Sequence, residues 1–466
     1  MGRFACVEFH GVRQWVQISD PVSAMKLFLG AKQILPLLDG SCFAFRGARH
    51  ARRNARPSTK SRSAHPRRLH VHRQAANSSV RVETVRPNVD LQLESGVIIP
   101  ADSVQIKYFS VGLDEYPTKP LIYVFPSMSN TPFLIDSPEH SEKGWWRKIV
   151  GYGSSYGIDL NKFSVICASP LGSPYGSTSP ITINSDTGKQ WKSDFPVVTP
   201  LDMVTLHNIL LEYLGIDKLS AIVGGSMGGM QVLHFAATFP HKYHRACAIA
   251  ATGHTSPSTV GLRFVQRQAV KMDKLHGLRV ARMMGTIGYR SREEFDRRFS
   301  WDLIDKDESK NAKAGGPDEE INFEVESYLK HQADLFERGG YDVDCYLTLS
   351  TACDRMALDY DLMRKNHAEN SAKRAEESGV KEKKELLLLP YSTDVIMPPC
   401  ELMKVASELG PHKDFRVHYE VLNTIHGHDA FMVPRHKEIT SLCKRLRPFF
   451  DDGVDAVRRF HHEVSE

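Results

Sequence analysis

From about Val82 onward, short runs of apolar, often β-branched residues alternate with stretches whose apolar positions fall three and four apart. Apolar runs without polar alternation make strands buried on both faces, and the helical stretches between them supply the cover. Pro120–Phe125 (PLIYVF), Phe163–Ala168 (FSVICA), Leu219–Val223 (LSAIV) and Glu385–Leu389 (ELLLL) are such runs, and Phe415–Val421 (FRVHYEV) continues the series. Asp202–Leu214 (DMVTLHNILLEYL) is apolar at helical spacing and is stopped by Gly215. Val97–Ile99 and Val104–Tyr108 read as an opening hairpin. The pattern predicts an α/β fold, a mostly parallel twisted sheet with helices on both faces.

Between Ser256 and Gln332 the strand rhythm stops, and the chain turns helical and charged, with a Gly-Gly-Pro turn at Gly315–Pro317. This stretch predicts a helical lid, at about residues 256–335, inserted between the sheet's later strands. Residues 364–385 form a charged run that reads as a solvated helix or loop.

Charge changes the picture at one end only. The chain carries a net charge of +5, yet residues 41–80 hold nine Arg and one Lys with no Asp or Glu, which leaves the remainder at −5. The basic excess is therefore no sign of a nucleic-acid surface. From Met25 the segment is rich in Arg, Ser, Ala and His, with Asp39 its only acidic residue to position 80. That composition fits a cationic transit peptide, and a mitochondrial presequence is expected, with a disordered cytosolic extension as the alternative. Met25 is a candidate start beside Met1, and mass spectrometry of the native N-terminus decides between them. Residues 1–84 thus read as a disordered basic targeting extension, and 85–466 as one catalytic domain. The apolar stretch Leu27–Leu38 is interrupted by Lys32, and position 6 is Cys where a myristoylated chain needs Ser or Thr. No apolar stretch reaches the roughly 18–20 residues that span a bilayer. The eight Cys form no CxxC pair and no zinc-like spacing, so buried reduced thiols are expected and no metal.

Gly224-Gly225-Ser226-Met227-Gly228 matches G-x-S-x-G, the turn that carries a nucleophilic serine between strand and helix. Glycines two residues either side let the turn close, and the following helix aims its first amides where an oxyanion forms. The pentapeptide alone is weak, because Gly153-Ser154-Ser155-Tyr156-Gly157 matches equally well. Only Ser226 follows a strand (LSAIVG) and precedes an apolar helix (GMQVLHFAATFP); Ser155 reads as a loop residue. The fold expected is then the α/β-hydrolase fold.

A serine hydroxyl near neutral pH needs a base, and this fold supplies its partners in the order Ser, acid, His. Asp394 follows the strand ELLLL in PYSTDVIMPP, and His428 follows FRVHYEV in NTIHGHDAF. Both lie just past a strand end, where catalytic groups gather in open parallel sheets. His426 is a rival two residues away, and Asp394 has the alternative role of stabilising its own turn.

The runs DFPVVTPLDMV, LLEYLGIDKL, GGSMGGMQVLHFA, GLRVARMMGTIGYRS, FEVESYLKHQ, STDVIMPP and GHDAF follow one another over about residues 90–450. Together they resemble the homoserine O-acetyltransferase family. The resemblance implies that Ser226 takes an acetyl group from acetyl-CoA, a substrate rather than a resident cofactor. His428, within GHDAF, would be the base and Asp394 its orienting partner. Asp429 would bind the acceptor's amino group, Arg282 its carboxylate, and Tyr289 would complete the site. Such an Arg and Asp suit a zwitterion. The amides of Met128 and Met227 would be the oxyanion donors. A homodimer formed through the lid is also implied.

Two stretches depart from the family. Pro126-Ser127-Met128-Ser129-Asn130 stands where the family reads like His-Ala-Leu-Thr-Gly, and Gly176–Thr182 reads GSTSPIT in place of GSTGPSS. The segment after RQAV is also shortened. Both altered stretches are expected to line the active site, which leaves L-homoserine and L-serine open as acceptors. An esterase or thioesterase, with water as acceptor, is the further alternative.

Overall fold

The computed structural model describes residues 3–9, 12–18, 79–137, 143–299, 323–378, 383–432 and 436–463. Within residues 1–72, one of two separate units, Arg3–Phe9 pairs antiparallel with Val12–Ile18. The extension expected over 1–84 therefore contains a hairpin near its start. At its other end Val80–Val85 already belongs to the sheet of the second unit, ahead of the expected boundary at 85. Most of the arginine-rich segment read as a presequence lies outside the described residues, as does Gly315–Pro317.

The second unit is organised by one eight-stranded sheet. Its strands in chain order are β1 (Val80–Val85), β2 (Ile106–Val111), β3 (Leu121–Phe125), β4 (Ser164–Ala168), β5 (Leu219–Gly225), β6 (Tyr243–Ile249), β7 (Lys384–Leu389) and β8 (Phe415–Tyr419). Their order across the sheet is β1-β2-β4-β3-β5-β6-β7-β8, and only β2 runs against the other seven. The first exchange of order, at β3 and β4, leaves β5 beside β3 in the middle of the sheet. The carboxyl ends of β5, β7 and β8 thereby open on the same edge.

Alternate residues of one strand serve two different cores. In β3, Tyr123 and Phe125 pack with Ile222 and Leu388 on one face, while Ile122 and Val124 pack with Val223 and Leu389 on the other. The period-2 projection of a strand requires this split, and an unbroken apolar run satisfies both faces at once. On the first face lie α1 (Pro200–Tyr213) and α2 (Met227–Thr238). Thr199 caps α1 in a reciprocal box with Asp202, whose carboxylate also accepts from the Glu94 amide at 2.6 Å.

Val97–Ile99 and Val104–Tyr108 do not pair with each other. Ile98–Ile99 pairs back with Leu91–Gln92, whereas β2 pairs with β1. Pro100 and the single 3₁₀ turn Ala101–Ser103 break the chain between them, so the two segments enter different sheets.

The helical insertion lies between β6 and β7 and runs further than the expected 335. It comprises α3 (Pro257–Met272), α4 (Lys274–Tyr289), α5 (Arg292–Arg298), α6 (Glu324–Arg338) and α7 (Val343–Asp354). Asp354, the last residue of α7, forms ion pairs with Arg263 at 3.0 Å and Arg267 at 2.6 Å on α3. The charged run from 364 belongs largely to α8 (Tyr360–Ser378), whose Met363 and His367 are buried. Then follow α9 (Pro399–Leu409) and α10 (His436–Glu463). Among the described residues no helix is long and apolar enough to cross a membrane.

Candidate active site

Ser226 stands between β5 and α2 with φ 58° and ψ −124°, a conformation that side chains rarely adopt. Its amide donates to the Ile249 carbonyl, and its own carbonyl accepts from Met230, each at 3.0 Å. Neighbouring strand and helix thus hold the strained turn in place. A Cβ at position 228 would lie 2.2 Å from the Phe125 carbonyl oxygen, so only glycine lets α2 approach β3 this closely.

His428 Nε2 lies 2.7 Å from Ser226 Oγ, and its Nδ1 lies 2.7 Å from Asp394 Oδ2. The second Asp394 oxygen accepts from the amides of Ile396 at 2.9 Å and Met397 at 2.8 Å. A carboxylate only accepts, so the proton sits on His428 Nδ1 and Nε2 is left to accept from the serine hydroxyl. Both His428 and Asp394 are buried. Burial pulls the imidazole pKa down, but the charge and hydrogen bond of Asp394, with help from Asp429, raise it above its ordinary value. Gly427 turns the chain into this position at φ 64°, where a Cβ would strike the Tyr289 carbonyl at 2.7 Å.

The rivals fall away on position. Ser155 is an exposed turn residue. His426 is buried between Glu294, 3.1 Å from its Nδ1, and Glu438, 3.4 Å from its Nε2.

The serine opens into a cavity of about 390 Å³ lined in part by Met128, Met227, Arg282, Tyr289 and Asp429. All five residues expected around the triad are therefore brought together. Met227 is the first residue of α2, where unsatisfied amides concentrate positive potential. Met128 lies in the loop after β3, and its carbonyl accepts from Tyr341 Oη at 2.7 Å. Arg282 lies over the Phe336 ring at 5.0 Å, and its buried Nε has no hydrogen-bond partner among the described residues. Tyr289 tilts against the His428 ring with centroids 5.9 Å apart. Burial raises its hydroxyl pKa against the pull of Arg282 and Arg263, so it stays a neutral donor.

Asp429 is not alone, which sequence spacing did not reveal. Arg290 Nε lies 3.3 Å from its carboxylate, and Arg290 Nη1 also meets Glu294 at 3.0 Å. Burial pushes the Asp429 carboxyl pKa up, opposed by Arg290, His428 and Arg282. Arg290 follows Tyr289 directly, but nothing in the run GTIGYRS says which side chain turns inward. Arg263 also lines the cavity, tied to Asp354.

Of the two departing stretches, Ser127–Asn130 line the cavity. Gly176–Thr182 instead buttress β2. Ser177 Oγ accepts from the Lys107 amide at 3.1 Å, and Thr178 Oγ1 accepts from the Gln105 amide at 2.8 Å. Of the positions that differ from the family, Ser179 is buried at 0% exposure and Thr182 Oγ1 donates to the Ser179 carbonyl at 2.8 Å, so these two changes serve the structure.

A Ser-His-Asp set on this sheet, with its His and Asp buried and its Ser open to the cavity, can generate a serine nucleophile beside donors for an oxyanion. Residues 141–310 match the alpha/beta hydrolase fold family. A homoserine O-acetyltransferase of Methanococcus vannielii is 34% identical over 361 residues, covering 74% of this chain and 68% of its own. A serine O-succinyltransferase of Litchfieldella anticariensis is 34% identical over 328 residues, covering 67% and 84%. The crystal structure of a homoserine O-acetyltransferase from Bacillus anthracis shares the fold, with a TM-score of 0.63 at 20% identity over 81% of this chain and 98% of that one. With its nucleophile elbow, its Ser-His-Asp contacts and these relatives, the chain belongs to the homoserine O-acetyltransferase family and is an O-acyltransferase of the α/β-hydrolase fold.

Proposed function

We propose that the enzyme moves an acetyl group from acetyl-CoA to the side-chain hydroxyl of L-homoserine through an acyl-Ser226 intermediate. His428 takes the Ser226 proton as the hydroxyl oxygen bonds to the thioester carbonyl carbon. The Met128 and Met227 amides hold the resulting oxyanion, and CoA thiolate leaves with the proton from His428. The acceptor hydroxyl then gives its proton to His428 and bonds to the acyl carbon, and His428 returns that proton to Ser226 Oγ as the O-acetyl product departs.

One observation carries the acceptor class: a guanidinium without an ion pair among the described residues, Arg282, shares the cavity with the carboxylate of Asp429. Arg282 suits a carboxylate. Asp429 remains suited to an ammonium although Arg290 touches it, because Glu294 and Asp429 together bring two negative charges to the one cation. A pocket that only had to admit water would need neither. L-serine carries the same two charged groups on a shorter arm, and the serine O-succinyltransferase among the relatives supports it as the alternative.

The test is CoA release from acetyl-CoA with L-homoserine, with L-serine and with neither. Homoserine is expected to accelerate release most. Faster release with serine moves the assignment to the alternative, and equal release in all three makes the enzyme a hydrolase. Arg282→Ala should raise the acceptor KM by roughly 10- to 100-fold, the worth of a hydrogen bond to a charged group, while background release in water stays near the wild-type rate.

A further inference from the structure

Gln231, one turn into α2 and 0% exposed, reaches both walls beside Ser226. Its Nε2 donates to the Pro126 carbonyl at 3.1 Å and to the Met227 carbonyl at 3.3 Å. Pro126 leads into the loop that carries Met128, and Met227 opens the helix after the nucleophile. A single amide group therefore fastens the two backbone segments that hold the oxyanion donors.

Gln231 is itself held. Its Oε1 lies 3.0 Å from His207 Nε2 on α1, and an amide oxygen only accepts, so His207 Nε2 carries the proton. His207 Nδ1 must then accept from the Tyr123 hydroxyl on β3, 2.6 Å away. Burial pulls the His207 pKa down to about 4, which keeps the ring neutral through the neutral range, while its two partners select the tautomer. Packing alone does not call for these groups. Leu or Met would fill the space of Gln231 without burying an amide, and a buried polar chain is tolerated only when each member is satisfied.

We propose that Gln231, oriented by His207 and Tyr123, is a positioning residue that sets the spacing of the Met128 and Met227 amides, and through it the rate of acyl-enzyme formation. This rests on the acyl-serine reading above. The chain touches neither donor nor acceptor, so its effect falls on the chemical step and not on binding. Displacing a preorganised donor costs up to the roughly 100-fold that follows from misplacement by about 1 Å.

The experiment is the pre-steady-state burst of p-nitrophenol from p-nitrophenyl acetate, followed in the full-length enzyme below its melting temperature. Gln231→Leu is expected to slow the burst roughly 10- to 100-fold with the ester's KM unchanged. Gln231→Glu adds a signature that packing damage does not produce. Its carboxyl can donate to one carbonyl only when protonated, so its burst rate should fall as pH rises, where the wild-type rate climbs. Tyr123→Phe, which deletes one hydroxyl at the far end, carries the test if Gln231→Leu does not fold; a slowing of roughly two- to tenfold is expected, one neutral hydrogen bond's worth. A wild-type enzyme that carries no acetyl group by mass spectrometry after brief exposure to the ester removes the acyl-serine reading. A wild-type burst matched by folded Gln231→Leu, or by Tyr123→Phe in its place, removes the positioning role alone.

Discussion

Ser226→Ala is expected to lower acyl transfer by roughly 10⁴- to 10⁶-fold and to leave no acetyl group on the protein. Deleting the hydroxyl removes the atom at which His428 Nε2 is aimed, 2.7 Å away. The fold should survive. Alanine keeps the Cβ, so the turn at φ 58° stays as strained as before, and the Ile249 and Met230 backbone hydrogen bonds that hold it remain. The melting temperature should therefore stay close to that of the wild type. Mass spectrometry of the protein after brief exposure to acetyl-CoA reads the outcome: a gain of one acetyl group in the wild type and none in the variant. Wild-type acetylation persisting at full level in Ser226→Ala would move the nucleophile elsewhere.

The parts of the site legible in sequence are those whose evidence is local. Ser226 separates from Ser155 because its flanks on both sides declare a strand and a helix, and those flanks are β5 and α2. Asp394 and His428 each follow a strand that is recognisable alone, so chain order brings them forward, and the resemblance at GHDAF separates His428 from its rival His426. What sequence could not supply is contact across distance. Gln231 reaches Pro126 across 105 positions and His426 pairs with Glu294 across more than 130, and no periodicity encodes either meeting. The same limit explains the misread hairpin: Ile98–Ile99 and β2 are close in sequence, yet Ile98–Ile99 pairs with Leu91–Gln92 and β2 with β1 and β4. The lid shows a third kind of failure. Its helical pattern was plain up to α6, but α7 looks like any buried helix until Asp354 is seen gripping Arg263 and Arg267.

The electrostatics of the triad lead to the second large effect. Asp394→Asn is expected to slow acyl-enzyme formation by roughly 10³- to 10⁴-fold with little change in stability. Asp394 uses one oxygen for the Ile396 and Met397 amides and the other for His428 Nδ1. An Asn that keeps its oxygen on those two amides must turn its NH₂ toward the imidazole. His428 Nδ1 then accepts, the ring proton moves to Nε2, and the nitrogen facing Ser226 becomes a donor where a base is required. The pH profile provides an independent readout. Burial alone would pull the His428 pKa down, and the Asp394 carboxylate outweighs it to hold the value above the ordinary one. Acylation needs neutral His428, so the wild-type rate should climb as pH rises through that elevated value. Without the carboxylate the remaining rate should reach its plateau at lower pH. Burst kinetics measured across the neutral range check both points. An Asp394→Asn enzyme that acylates within tenfold of the wild type, with an unmoved pH midpoint, would show that the carboxylate does not orient the base.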